Sequence, residues 1–242
     1  MLRMQKCGLI GGIGPESTLN YYALMTKAFQ HRSGTGSGPP LVVNSIDLPR
    51  MIGFLQSGNR EGLTSYLASA VEECALAGAD FAALAACTPH VVFEELEQRC
   101  TIPLLSIVEA TRDRALQLGV KRAGLLGTRV TMEGEFFPSA FRRSGIAVVV
   151  PSSMEQDYIH RVYFDELVKG IVDETTRERL MHIVDGLKRR EGIEGLILGG
   201  TELSLMFSGT SFCGIPLLDS TSIHIEAITT RILQDESVFR SP

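Results

Sequence analysis

The chain has 242 residues and a formal net charge of −5 at pH 7, with no run rich in Lys or Arg; this argues against nucleic acid or an anionic membrane as the main partner. Its 44% hydrophobic and 21% charged residues fit an ordinary soluble globular protein, and no apolar stretch approaches the ~18 residues of a membrane span. The start, MLRMQKCGLIGG, runs into a strand and not a signal peptide, so the expected location is cytoplasmic.

Short apolar runs alternate with longer helical patterns along the chain. Strands are expected at 6–12, 40–46, 81–86 and 103–107, then at 122–127, 146–151, 195–200 and 216–220. Between them, 62–79 repeats Leu63, Tyr66, Leu67, Ala70, Val71, Cys74 and Ala75 at helical spacing. Residues 31–39, HRSGTGSGP, read as a surface loop. Alternation of this kind implies parallel sheets covered by helices, an α/β fold. The halves echo each other: CGLIGGIGPEST (7–18) by AGLLGTRVTMEG (123–134), and GADFAALAACTPH (78–90) by GIEGLILGGTEL (192–203). Two pseudo-symmetric Rossmann-like lobes are expected, 1–115 and 116–215, with 216–242 packing back onto the first. The ligand is expected in the cleft between the lobes, at the carboxyl ends of the strands.

Most of the candidate site residues sit where strands end. GGIGPEST lacks both GxGxxG and a Gly-Lys-Ser/Thr, so it is neither a dinucleotide fingerprint nor a P-loop. Gly12 there serves either a tight βα turn or the cradling of a carboxylate. Arg50, just past a strand, can grip a carboxylate with two parallel hydrogen bonds. Lys169 lies late in a helical stretch, where answering the helix dipole is its ordinary role. Glu202 ends a strand in Gly-Gly-Thr-Glu, and His224 falls inside a helix that opens at Asp219 or Ser220. The five cysteines include no CxxC pair, so neither disulfides nor a metal site are indicated. Only Cys87 lies at a strand tip beside polar groups.

In order and spacing, GGIGPEST, NSIDLPR, GADFAALAACTPH, GLLGTRVTMEG, ELVKGI, LILGGTEL and DSTSIHIEAI resemble the aspartate/glutamate racemase superfamily, its aspartate racemase branch most closely. The resemblance implies two lobes around one active site, no metal, no pyridoxal phosphate or other cofactor, a small acidic substrate and often a homodimer. It implies acid/base residues on opposite faces of the α-carbon, usually two thiols, with one sometimes replaced by threonine. Arg50 and Lys169 match family residues associated with the substrate carboxylates. Thr88, Thr128 and Thr201 match hydroxyls near the site, and Glu202, His90 and His224 match motif positions. The family's Cys-Asn-Thr-x-His, laid without gaps on this chain, puts its cysteine on Ala86; Gly-Cys-Thr-Glu puts its cysteine on Gly200.

In that register neither catalytic position carries a proton to exchange. Three readings follow. A backbone irregularity could turn Cys87 into the site, with Thr201 or Glu202 supporting it from the other face. The chain could instead run one-sided carbanion or enolate chemistry on a diacid, such as decarboxylation, isomerisation or elimination. Or it could bind a diacid without reaction.

Overall fold

The computed structural model describes residues 4–207 and 209–234. The chain divides into two compact units, one running to Ser106 and taking up the chain again at His224, the other spanning Ile107–Ile223. No helix among the described residues is long and apolar enough to cross a membrane.

The first unit contains, in chain order, β1 (Cys7–Gly11), α1 (Pro15–Ser33), β2 (Leu41–Ser45), α2 (Leu48–Gln56), α3 (Arg60–Leu76), β3 (Phe81–Leu84), α4 (Phe93–Glu97) and β4 (Leu104–Leu105). The four strands form a parallel sheet in the order β2-β1-β3-β4. β1 registers Cys7 against both Leu41 and Phe81. Alternate side chains serve opposite helical layers, as the period of two requires. Cys7, Leu9, Phe81, Ala83 and Ala85 pack with Tyr21, Met25 and Phe29 of α1. Ile10, Ala82 and Leu84 face Leu67, Val71 and Cys74 of α3. The expected helix at 62–79 starts earlier, because the Asn59 side chain accepts from the Gly62 N–H at 2.8 Å and caps it. The expected loop at 31–39 begins later, because α1 continues to Ser33 and stops at Gly34 in the left-handed region (φ 67°).

The second unit holds α5 (Ile107–Gln117), β5 (Arg122–Gly127), α6 (Arg129–Glu133), α7 (Phe136–Arg142), β6 (Ala147–Val149), α8 (Ser153–Asp165), α9 (Glu174–Glu191), β7 (Gly195–Gly199), β8 (Ser211–Phe212) and β9 (Ile215–Asp219). Its sheet runs β6-β5-β7-β9-β8, parallel except for the last pair. The internal echo is real: β5 lies between β6 and β7 as β1 lies between β2 and β3. An acid also repeats at the foot of each sheet. Asp80 accepts from the Lys6 N–H at 2.7 Å, and Glu194 from the Lys121 N–H at 2.6 Å. The edge strand β8 has no counterpart in the expected elements. Its hairpin turns on Cys213 and Gly214, both at positive φ (49° and 73°), and Cys213 replaces the Asn or Asp that usually marks such a turn.

The closing helix, α10 (Ser220–Leu233), leaves the second unit and carries Ile225, Ile228 and Ile232 into the first unit's core. The expected return at 216 thus falls later. β9 pairs with β7 from Leu217 to Asp219, so this strand completes the second sheet before the chain crosses back.

Candidate functional site

In parallel sheets every strand ends at the same edge, and several candidate residues follow strand ends: Gly12 after β1, Cys87, Thr88 and His90 after β3, Thr128 after β5, and Thr201 and Glu202 after β7. In the first unit, the chain after β3 keeps its strand-like alternation through Ala85 and Ala86, which face opposite cores. Cys87 then turns into a helical conformation (φ −77°, ψ −41°) and leads a 3₁₀ turn, Thr88–Val92. The residue is 5% exposed. The alternation up to Ala86 shows no inserted residue, and the extended backbone ends at Cys87 in this turn.

His90 closes the turn. Its backbone N–H donates to the Cys87 carbonyl at 2.9 Å, and its Nδ1 donates to the Ala86 carbonyl at 3.1 Å. The ring stacks on Phe93 at 4.9 Å. Burial, with His224 adding repulsion, pushes the imidazole down to about 3 against the hydrogen bonds to Ala86 and Cys87. His224 is fully buried. Its Nε2 donates to the Leu105 carbonyl at 3.0 Å, which leaves Nδ1 to accept from the Tyr21 hydroxyl at 3.0 Å. Burial pushes this ring down to about 4. Both histidines are therefore neutral at pH 7, and His224 acts as a strut tying α10 to α1 and β4.

Gly12 is at φ 77°, where a Cβ would meet the Ile46 carbonyl oxygen at 2.3 Å. Its N–H donates to Thr18 Oγ1 at 2.9 Å, so this amide is committed to the βα turn. Arg50 stands in the first turn of α2, where its N–H meets the capping Asp47 carboxylate at 2.8 Å. The exposed guanidinium lies 4.5 Å from the Tyr66 ring centroid. A groove of about 540 Å³ opens beside it, lined also by Asn44, Asp47, Ser65, Tyr66 and Glu73.

In the second unit, Thr128 caps α6 by accepting from the Thr131 N–H at 3.3 Å and meets the Thr131 hydroxyl at 3.1 Å. Lys169 is not on the preceding helix: α8 stops at Asp165, and Lys169 ends a separate 3₁₀ turn closed by Gly170 at φ 71°. That turn packs against Thr201–Leu205, the turn that follows β7. At the start of the latter, the Thr201 hydroxyl donates to Glu202 Oε2 at 2.5 Å. The Tyr163 hydroxyl donates to the same oxygen.

Tyr163 escaped the motif reading, although it opens the YFDELVKGI stretch. It is 7% exposed and comes from α8. A Cβ on Gly200 would lie 2.6 Å from both its Cε2 and its hydroxyl oxygen. The side-chain space of Gly200 thus belongs to a tyrosine 37 positions earlier. One turn before it on α8, His160 accepts the Arg129 N–H at Nδ1, 3.2 Å away.

Burial pushes Cys7 and Cys74 up, and burial with Glu72 and Glu97 pushes Cys100 up to about 11. Cys213 is exposed at the β8–β9 turn. No three His, Cys, Asp or Glu side chains among the described residues gather as a metal site.

Comparison with known proteins follows the same lines. The model of the Asp/Glu/hydantoin racemase family matches residues 10–228. An aspartate racemase homologue from Pyrococcus horikoshii is 32% identical, with TM-score 0.85 over 96% of this chain and 100% of that one. A structure from Yersinia pestis, itself only provisionally assigned as an Asp/Glu racemase, is 31% identical with TM-score 0.89 over the same shares. The broad specificity amino-acid racemase RacX of Bacillus subtilis is 24% identical over 173 residues, 68% of each chain.

Proposed function

The chain belongs to the Asp/Glu/hydantoin racemase family, and from that premise we propose that it moves a proton at the α-carbon of a small acidic amino acid, as a racemase working without a cofactor. Inversion needs two proton carriers, one for each face of a planar carbanion. The observation that carries the reading is the repeated strand tip: the fold delivers Cys87, Thr88 and His90 after β3, and Thr201 and Glu202 after β7. Cys87 is the acid/base group of the first tip, and Thr201 with Glu202 serves the second. Arg50 and Lys169 hold the substrate carboxylates, while Gly12, Thr88, Thr128 and His224 shape and brace the surroundings. The name of the Bacillus subtilis relative supports amino acids as substrates. A cytoplasmic homodimer completes the reading, and light scattering tests the dimer.

One observation favours a second reading. Gly200, where the ungapped family register expects a thiol, has its side-chain space filled by Tyr163. One-sided decarboxylase, isomerase or lyase chemistry would need no thiol there, and a diacid-binding homologue would need none at either tip.

The test is incubation of L- and D-aspartate and L- and D-glutamate with the protein in D₂O, followed by NMR and chiral chromatography. Loss of the α-proton with inversion is expected. Release of CO₂ or ammonia would transfer the assignment to the second reading, and an inert α-proton in all four amino acids would end the first.

A further inference from the structure

We propose that Tyr163 is the proton-carrying residue of the β7 tip, standing in the space that a side chain on Gly200 would fill and working through Glu202. This deepens the racemase reading above and rests on it.

The backbone does not demand glycine at 200. Its φ of −174° and ψ of 138° are extended values that any residue adopts. What demands glycine is the phenol, whose hydroxyl oxygen lies 2.6 Å from the missing Cβ. The ring is fixed by the core that Tyr163 shares with Val162, Leu167, Leu198 and Leu203. Its hydroxyl is fixed by Glu202, which also takes the Thr201 hydroxyl on the same oxygen. Thr201 and Glu202 are partly exposed, so the carboxylate end of this chain reaches towards solvent.

Hydroxyl against carboxylate is a proton relay. As the phenolic oxygen takes the α-proton, its own proton passes to Glu202. The substrate C–H bond and the phenol O–H bond break, one O–H bond forms on each residue, and the C–H electron pair stays on the substrate. In the return direction Glu202 gives its proton to the phenolic oxygen while the phenol proton closes the new C–H bond. Tyr163 is a neutral phenol before and after either step, which matters because a free phenol ionises only near pH 10. Glu202 alternates between carboxylate and acid.

The experiment measures α-proton washout in D₂O separately from L- and D-aspartate, for the wild type, Tyr163→Phe and Glu202→Gln. Phenylalanine keeps the ring and its packing, and thermal melts compare the folds. In a two-carrier enzyme each carrier strips one enantiomer. Tyr163→Phe is therefore expected to slow washout from one enantiomer by about 100-fold or more, leaving the other within a few-fold of the wild type. Glu202→Gln is expected to affect the same enantiomer. Unchanged washout in Tyr163→Phe, or equal losses from both enantiomers, would overturn the assignment of Tyr163 and leave the racemase reading standing. A wild type that exchanges neither enantiomer of aspartate nor of glutamate would overturn both.

Discussion

Substituting Gly200 by alanine adds one methyl group, and the structure says what that methyl meets. The new Cβ would sit 2.6 Å from Tyr163 Cε2 and from its hydroxyl oxygen, well inside contact distance. The backbone contributes nothing to the penalty, because residue 200 is extended. Overpacking at such a site costs about 1–3 kcal/mol. For a chain of this size that is a fall in Tm of about 2–12 °C. Tyr163→Ala alone should cost about 3–5 kcal/mol, as for other large aromatic truncations. In the Tyr163→Ala background, however, Gly200→Ala meets an empty space and should be nearly neutral. The double-mutant cycle therefore carries a coupling energy close to the whole cost of Gly200→Ala. Thermal and urea unfolding followed by far-UV circular dichroism measure it; the chain has no Trp to report by fluorescence. If the two substitutions add to within about 0.5 kcal/mol, the ring does not occupy the glycine's space and the argument for Tyr163 fails with it.

Cys87→Ser should nearly abolish turnover while leaving diacid binding measurable by calorimetry, and a retained rate would remove the thiol from the chemistry. Arg50→Ala should weaken diacid affinity by about 10- to 100-fold, the worth of a charge-assisted hydrogen bond, with kcat little changed; an unaltered binding constant would take Arg50 out of the site. Gly12→Ala should destabilise beyond repair by any neighbour, since the left-handed φ costs about 1–2 kcal/mol and the obstructing atom is the Ile46 carbonyl; a Tm within 2 °C of the wild type would contradict this. The first unit should lose stability on acidification. His224 is held down to about 4 when folded against about 6.5 unfolded, so the unfolded chain binds the extra proton as pH falls through 6.5 towards 4. The loss is on the order of 3 kcal/mol, and His90 adds in the same direction. Urea midpoints at pH 4.5 and 7.5 test this, and His224→Gln should shrink the difference between them.

Much of the fold was legible because its signals are local. Apolar runs of strand length alternating with helical periods placed eight strands within a few residues, and the echo of 78–90 in 192–203 matches strands in equivalent places, β3 and β7, of two like-ordered sheets. The position of Glu202 beyond a strand tip, and the motifs that carry the family, were readable from residue order alone. Lys169 was misplaced because a 3₁₀ turn continues the apolar spacing of the helix before it. β8 was missed because two residues are too short to show a period.

The contents of the second strand tip could not be read this way. Gly200 looks, in the sequence, like a site that has lost its side chain. Folding fills that space with Tyr163, which lies on a helix far back along the chain and is aimed by core packing and by Glu202. A glycine records only that something must be allowed close; which group comes close is settled by how a helix lies across a sheet, and no local pattern of residues encodes that.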